Sequence, residues 1–401
     1  MKVCFVTAYW PPEASGGTEQ VVVALARELR QLGAEVVAIS GTDAAGAADV
    51  ASDQHDGVTV HRLAKRVPET AATMFVRPRL LAIVGELLER HRPDVVHVHG
   101  FTSLGAGITA LARQCGARVA VTFHDLWVTC PRFFRVPAGG VSCPTGTNRG
   151  PCVPCINDAL QIAPAEVALG IAERDRLLRA EVALAHVALA PSAFAARMVR
   201  ECLPRPQPIE VVPHGLLRAV AADHLAPRWR PEERLRIGTF GGLVRVKGVR
   251  ELVAAVAGLP VELHLAGPFH EPGFEAELRA LAAANGTTLV VRGHYGPADR
   301  HPARDLHLAV FPSLCQETYG LVVDEALAHG VPVVCADSGA LRERDGTGGV
   351  VVTPVAALAN VLRELVTCKD RLIALRAAIP ATLPTIAASA ARHFELYSRL
   401  R

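Results

Sequence analysis

No stretch of this 401-residue chain is apolar for long enough to span a bilayer. The opening residues, 1–7, are too short an apolar run for a secretory leader and pass straight into a strand-like pattern. The expectation is a cytoplasmic protein, in a compartment where disulfides are rare. Excess charge is also lacking. Lys and Arg number 42 against 39 Asp and Glu, a formal net charge of +3, so nothing points to nucleic acid as a partner. Basic residues do gather at Arg62, Lys65, Arg66, Arg77, Arg79, Arg90 and Arg92. Such a group is ordinarily a solvated face; a weak peripheral contact with an anionic membrane surface is the other reading. There is no internal repeat.

What is present is a large core. Half of the residues are hydrophobic and 20% are charged, which suits a soluble chain of this length with two domains. Short β-branched runs alternate with helical patterns throughout. Strands are expected near 3–7, 36–40, 95–98, 119–122, 187–190 and 209–212, then near 236–240, 261–265, 288–291, 308–311, 331–334 and 350–352. Between the first two, Val22, Leu25, Leu29 and Leu32 recur at helical spacing, and Gly33 ends the helix. Strands separated by helices imply parallel sheets covered on both faces. Periodicity fades and prolines appear near 218–233. The expected division is a Rossmann-like domain over 1–215, a linker over 216–234, a second Rossmann-like domain over 235–384, and a final helix over 385–401. That helix carries Phe394, Tyr397 and Leu400 on or near one face. The cleft between two such domains is the default place for a pair of substrates.

The segment from Pro312 to Ala326 places Glu317 and Glu325 eight positions apart around Thr318, Tyr319, Gly320 and Leu321. A buried strand precedes it and a short helix follows. In an open parallel sheet ligands bind at the strand ends. Loop amides and a helix N-terminus there face an anion, and carboxylates accept from sugar hydroxyls. This pattern resembles the E-x7-E signature of the retaining glycosyltransferases of family four. The resemblance implies the GT-B fold: two Rossmann-like domains with parallel sheets facing across a cleft, and a C-terminal helix crossing back to the first domain. It implies that Glu325 binds the ribose and Glu317 the transferred sugar, with amides of Tyr319, Gly320 and Leu321 on sugar oxygens and phosphate.

Other loops extend the likeness. After the first strand, Gly16 and Gly17 allow close approach of backbone to a ligand just before a helix; in the family this loop lies over the donor phosphates and the acceptor, with Glu19 capping or lining the site. His97 and His99 share one face of a strand, so a metal pair is conceivable, although histidines there are more often core or cleft residues. The family usually has a histidine at this point, implying a structural or acceptor-side role for His99. His124 ends the next strand and by resemblance reaches the donor sugar; a satisfied core histidine is the competing reading. Lys247-Gly248 resembles the family's phosphate-contacting pair, where lysine neutralises the leaving diphosphate. Family members often carry an arginine after the first glycine of this loop. Gly242 stands there instead, and Arg245 is the candidate to supply the charge. Loops containing Gly267 and His294 follow strands and by position frame the nucleotide base, or are plain turns.

Four of ten cysteines, Cys130, Cys143, Cys152 and Cys155, lie in one Pro/Gly-rich insertion over 127–157. The terminal Cys-x-x-Cys with two further cysteines suits tetrahedral thiolate ligation of a structural Zn2+. Two disulfides, four free thiols or an iron–sulfur cluster are the alternatives. A subset of family members carries a similar His-Asp-x-Trp-x-x-Cys-Pro stretch.

The resulting expectation is a retaining transferase moving sugar from a nucleotide-diphosphate sugar to a glycan, glycolipid or small natural product. The motifs show no enzymic nucleophile, which suits front-face transfer, and no Asp-x-Asp, so no catalytic divalent metal is expected. The rivals are a non-transferring enzyme of the same fold, such as a sugar-nucleotide epimerase, and a catalytically silent sugar-nucleotide-binding scaffold.

Overall fold

A computed structural model of the chain describes residues 1–13, 16–44, 46–65, 75–136, 143, 148–160, 163–204, 208–226, 229–230, 232–296 and 299–400. The chain forms two compact units. The first comprises Met1–Gly139, Cys143–Leu217 and Pro384–Arg401, and the second is mainly Arg218–Leu383.

The first unit runs β1 (Lys2–Thr7), α1 (Gly17–Gln31), β2 (Glu35–Thr42), β3 (Val50–His55), β4 (Val58–Ala64), α2 (Pro78–His91), β5 (Val95–Val98), α3 (Ile108–Gln114), β6 (Arg118–Thr122), α4 (Cys152–Leu160), α5 (Pro164–Leu184), β7 (Val187–Ala190), α6 (Ala193–Cys202) and β8 (Ile209–Val211). Its sheet has the order β3-β4-β2-β1-β5-β6-β7-β8. All pairs are parallel except β3 with β4. The central parallel strands are buried on both faces, so Val95–Val98 is Val-rich and even its one polar residue, His97, is buried. The β3–β4 hairpin was not expected from sequence. Val50–His55 is a largely exposed edge strand made mostly of polar residues, with no apolar alternation to reveal it.

The second unit runs β9 (Leu235–Phe240), α7 (Val249–Ala255), β10 (Val261–Ala266), α8 (Phe274–Ala284), β11 (Thr288–Gly293), β12 (Leu308–Phe311), α9 (Leu321–Ala328), β13 (Val333–Ala336), β14 (Val350–Thr353), α10 (Leu358–Thr367) and α11 (Lys369–Ala377). Its parallel sheet has the order β11-β10-β9-β12-β13-β14. Along β12 the side chains alternate between two cores. Leu308 and Val310 pack with Leu252 and Leu263, while Ala309 and Phe311 pack with Val323 and Leu327.

The last helix, α12 (Ile386–Arg399), belongs to the first unit and packs along α1. Its buried face is Ile386, Ser389, Ala390, His393, Leu396 and Tyr397. Phe394 and Leu400 are only half-buried, so the inner face is one position away from the aromatic-rich face expected, and it carries a histidine.

Among its parallel strands each sheet reverses its order once, between β1 and β5 and between β9 and β12. Loops leaving the carboxyl ends of such neighbours diverge and open a crevice. Those four loops carry the expected Gly16-Gly17, His99, Lys247 and Glu317.

Candidate active site

In the second unit, the loop after β9 and the loop after β12 meet at Lys247 and Glu317. Lys247 Nζ lies 2.6 Å from Glu317 Oε1, and Ser313 Oγ donates to the same oxygen at 2.7 Å. Burial alone would drive Lys247 and Glu317 toward their neutral forms. The opposite charge outweighs it, holding Lys247 above the ordinary lysine value and Glu317 below the ordinary carboxylate value. The approach depends on Gly248. Its φ is +71°, and a Cβ there would sit 1.9 Å from the Pro312 carbonyl oxygen. Glu317 is further fixed through its own carbonyl, which accepts from Ala340 N at 2.7 Å.

Gly320 caps α9, and Leu321 begins it. Thr318 is half-buried and Tyr319 buried, with the Arg344 guanidinium 4.8 Å from the Tyr319 ring centre. Arg344 in turn makes a two-pronged bond to buried Asp324 at 2.7 and 3.1 Å, which locks the first turn of α9. One helical turn on, Glu325 Oε2 lies 3.7 Å from His301 Nε2. The His301 ring stacks on His329 at 4.4 Å and meets Tyr295 edge-on. Burial, then the Glu325 charge, push the Tyr295 phenol up, so it stays protonated. His294, next along, is exposed. Gly267 has φ +137° and lies where a Cβ would meet Gly241 O at 1.8 Å. Backbone bonds from Gly241 N to Ala266 O and from Gly267 N to Gly293 O tie the loops after β9, β10 and β11 into one rim.

Arg245 is placed differently. Its guanidinium pairs with Glu271 at 3.0 Å and Glu277 at 2.5 Å, over the Phe274 ring. These anions occupy the charge that a phosphate would otherwise meet.

In the first unit, Gly16 caps α1 and Gly17 begins it. The Glu19 carboxylate folds back so closely that a Cβ on Gly16 would meet its Oε2 at 2.6 Å. Burial and then the nearby Asp125 charge raise Glu19, and burial raises Asp125 as well. Asp125 accepts from Trp127 N at 2.8 Å. A small cavity is lined by His99, Phe101, Thr122, His124, Asp125 and Trp127. The larger surface depression, bounded by Glu89, Arg92, Asp94, Cys115 and Arg118, sits at the opposite ends of β5 and β6 and holds none of the expected site residues.

His99 and His124 belong to a buried array that sequence reading did not assemble. His99 Nδ1 is 2.9 Å from His124 Nε2, and His124 Nδ1 is 3.4 Å from His214 Nε2. Beside them His97 bonds Tyr397 Oη at 2.5 Å and Thr122 Oγ1 at 2.7 Å. Burial and mutual repulsion keep these rings neutral, His124 down to about 3. Both ring nitrogens of His124 are thus engaged inside this unit. Asp125 adjoins His124 in the His-Asp-x-Trp stretch, whereas His214 carried no motif of its own and only the fold brings it to His124.

Among the described residues, which include all four of the insertion's cysteines, no group of three or more His, Cys, Asp or Glu is placed to hold an ion. None of the ten cysteines forms a disulfide. The four-thiolate zinc site expected of Cys130, Cys143, Cys152 and Cys155 is not shown by these residues. Arginines do the bridging. Arg135 donates to Cys143 Sγ at 3.6 Å and Cys202 Sγ at 3.5 Å, and Arg132 donates to Cys155 O at 2.8 Å. Arg149 grips Asp175 at 2.7 and 3.1 Å, and Arg174 lies 4.7 Å over Trp127. Cys152 packs against Ile156, Val167 and Ile171, a small apolar core that the insertion shares with α5.

Three residues of the basic stretch are neutralised within its own unit. Arg62 pairs with Asp53, Lys65 with Asp43 and Arg79 with Asp49, and Arg62 is buried. That pairing gives no support to a membrane contact; Arg66 lies outside the described residues. Among the described residues no helix is long and apolar enough to cross a membrane.

Residues 15–216 match the sequence profile of Glycosyltransferase Family 4, and residues 234–368 match that of Glycosyl transferases group 1. A GDP-mannose-dependent alpha-mannosyltransferase of Mycolicibacterium smegmatis is 27% identical over 86% of this chain and 81% of its own length. A D-inositol 3-phosphate glycosyltransferase of Catenulispora acidiphila is 29% identical over 90% of this chain and 85% of its own length. Among solved structures, sucrose-phosphate synthase of Thermosynechococcus elongatus superposes with a TM-score of 0.67 at 18% identity, covering 100% of this chain and 98% of that one. Anabaena HepE in complex with UDP and glucose also gives 0.67, at 16% identity and full coverage of both chains. These likenesses fix the fold as GT-B.

Proposed function

The chain belongs to glycosyltransferase family 4 and transfers a sugar from a nucleotide sugar to an acceptor, and from that premise we propose that it does so with retention, at Lys247 and Glu317. The observation that carries this reading is the 2.6 Å pair between them, set beside the first turn of α9. Lys247 is the cation that meets the leaving diphosphate, helped by the positive end of α9. Gly242 withholds the arginine that family members place there, and Arg245 is occupied by Glu271 and Glu277, so Lys247 carries most of that charge.

Glu317 is a poor nucleophile in this setting. Its Oε1 accepts from Lys247 and Ser313, and the adjacent lysine lowers its basicity. This favours front-face transfer, in which Glu317 orients sugar hydroxyls and the leaving phosphate takes the acceptor proton. Glu325, with His301 and Tyr295 beside it, binds the ribose. The loops at Gly267 and His294 frame the base. In the first unit Glu19 and Asp125 accept from hydroxyls of the acceptor. The GDP-mannose dependence named for one relative makes guanosine nucleotides the first donors to test, followed by uridine nucleotides, given the UDP bound to HepE.

The test is turnover of a panel of GDP- and UDP-sugars with polyol and glycan acceptors, with the product anomer read by NMR. A product keeping the donor's anomeric configuration supports the proposal. An inverted product would refute it.

A further inference from the structure

We propose that His301 is a positioning residue for the donor: together with His329 it grips Glu325 at both ends and so sets the carboxylate that reads the ribose hydroxyls. The inference deepens the reading above, in which Glu325 binds the ribose, and rests on it.

Two backbone groups fix which nitrogen of each ring carries a proton. The Ala303 amide donates to His301 Nδ1 at 3.2 Å, capping the short 3-10 helix Pro302–Asp305. An amide N–H can only donate, so Nδ1 is bare and the ring's proton sits on Nε2. That Nε2 lies 3.7 Å from Glu325 Oε2. The separation exceeds a hydrogen bond, and a shift of about 0.8 Å brings it to the ordinary 2.9 Å. At the other end of the residue, His329 Nδ1 lies 2.8 Å from the Glu325 carbonyl oxygen. A carbonyl can only accept, so His329 carries its proton on Nδ1 and donates it there. Burial above all keeps the His329 ring neutral, down to about 4.

The two rings brace one another. They stack at 4.4 Å, 13° from parallel. Phe240 meets His301 edge-on at 4.9 Å and Tyr295 at 5.5 Å, so the His301 ring plane is set by three aromatic neighbours. His301 Nε2 is buried, whereas the Glu325 side chain is 27% exposed. Nε2 therefore serves Glu325, and a ligand meets the carboxylate. A carboxylate turned by its neighbours into one direction offers its remaining lone pairs to a ribose diol without first losing rotational freedom. His301 acts through Glu325 and needs no contact with the nucleotide.

The experiment is calorimetric titration of the full-length protein with GDP and UDP, each beside its 2′-deoxy counterpart. The wild type is expected to bind its preferred ribonucleotide about tenfold or more tightly than the deoxy form, and Glu325→Ala to lose that preference. Two variants then separate the two nitrogens of His301. His301→Asn keeps an acceptor for the Ala303 amide and gives up the reach to Glu325; His301→Gln keeps a donor with that reach and gives up the cap. The preference should fall to within about threefold in His301→Asn, although its melting temperature stays near the wild-type value, and should largely survive in His301→Gln. A preference unchanged in His301→Asn, or lost equally in both variants, overturns the inference. Failure of the broader reading looks different: a wild type that binds neither nucleotide or shows no ribose preference, or a preference that Glu325→Ala leaves intact, removes Glu325 from the ribose and the inference with it.

Discussion

Lys247 and Glu317, seventy residues apart, share a 2.6 Å ion pair where the loops after β9 and β12 diverge. Each holds the other in its charged form against the cost of burial. Removing either leaves a charge that has lost its partner in a partly buried place.

Glu317→Ala is expected to lower kcat by about a hundredfold or more while nucleotide affinity moves far less, because the carboxylate orients the transferred sugar and not the nucleotide. Steady-state kinetics beside nucleoside-diphosphate titration decide it. Near-normal turnover would remove Glu317 from the site.

Acid should unfold this protein through its histidines. His97, His99, His124, His214 and His393 are buried and held neutral, His124 down to about 3 and His393 to about 4. An unfolded imidazole titrates near 6.5. Below that pH the unfolded chain binds protons the folded array refuses, so stability falls as pH drops, by up to about 1.4 kcal/mol per pH unit per group. His307 and His329 shift the same way, while Glu19, Asp125 and Glu181, raised by burial, oppose the trend. Urea unfolding at pH 7.5, 6.0 and 5.0 should show a steep decline. A flat profile over that range would contradict the neutral array.

Gly248 and Gly258 make a matched pair. Both have left-handed φ, +71° and +72°, but a Cβ on Gly248 would collide with Pro312 O at 1.9 Å while nothing lies within 4 Å of one on Gly258. Gly258→Ala should cost only the strain of a left-handed alanine, about 1–2 kcal/mol. Gly248→Ala should melt several degrees lower still and lose transfer, since it displaces the Lys247 and Glu317 loops. Equal melting temperatures would show that the close approach is not required.

Chelation should change nothing. If the contacts of Arg132, Arg135 and Arg149 suffice to hold the insertion, EDTA or a thiol-safe zinc chelator leaves melting temperature and turnover as they were. About one zinc per chain, lost together with stability, would restore the four-cysteine site.

The repeating fold was open to sequence reading because its central strands are buried and rich in valine and other β-branched or apolar residues. The polar edge strand Val50–His55 has no such signal. Glu317 and Glu325 announced themselves by spacing within one loop and helix. Lys247 announced itself only as a lysine before a glycine; its pairing with Glu317 is a product of strand order, which no local pattern encodes. His214 was invisible for the same reason. The cysteine spacing suggested a metal, and the arginines that bridge parts of the insertion look in sequence like ordinary surface charge.

The most direct test of the account is melting temperature with GDP, UDP, ADP and TDP, measured on the wild type and on Lys247→Ala. A ligand present at about a hundred times its Kd should stabilise the folded protein by about 2.7 kcal/mol. The account predicts a clear upward shift with one nucleotide series in the wild type, largely lost in Lys247→Ala. Equal shifts in both proteins, or none in the wild type, would contradict the placing of the donor diphosphate at Lys247.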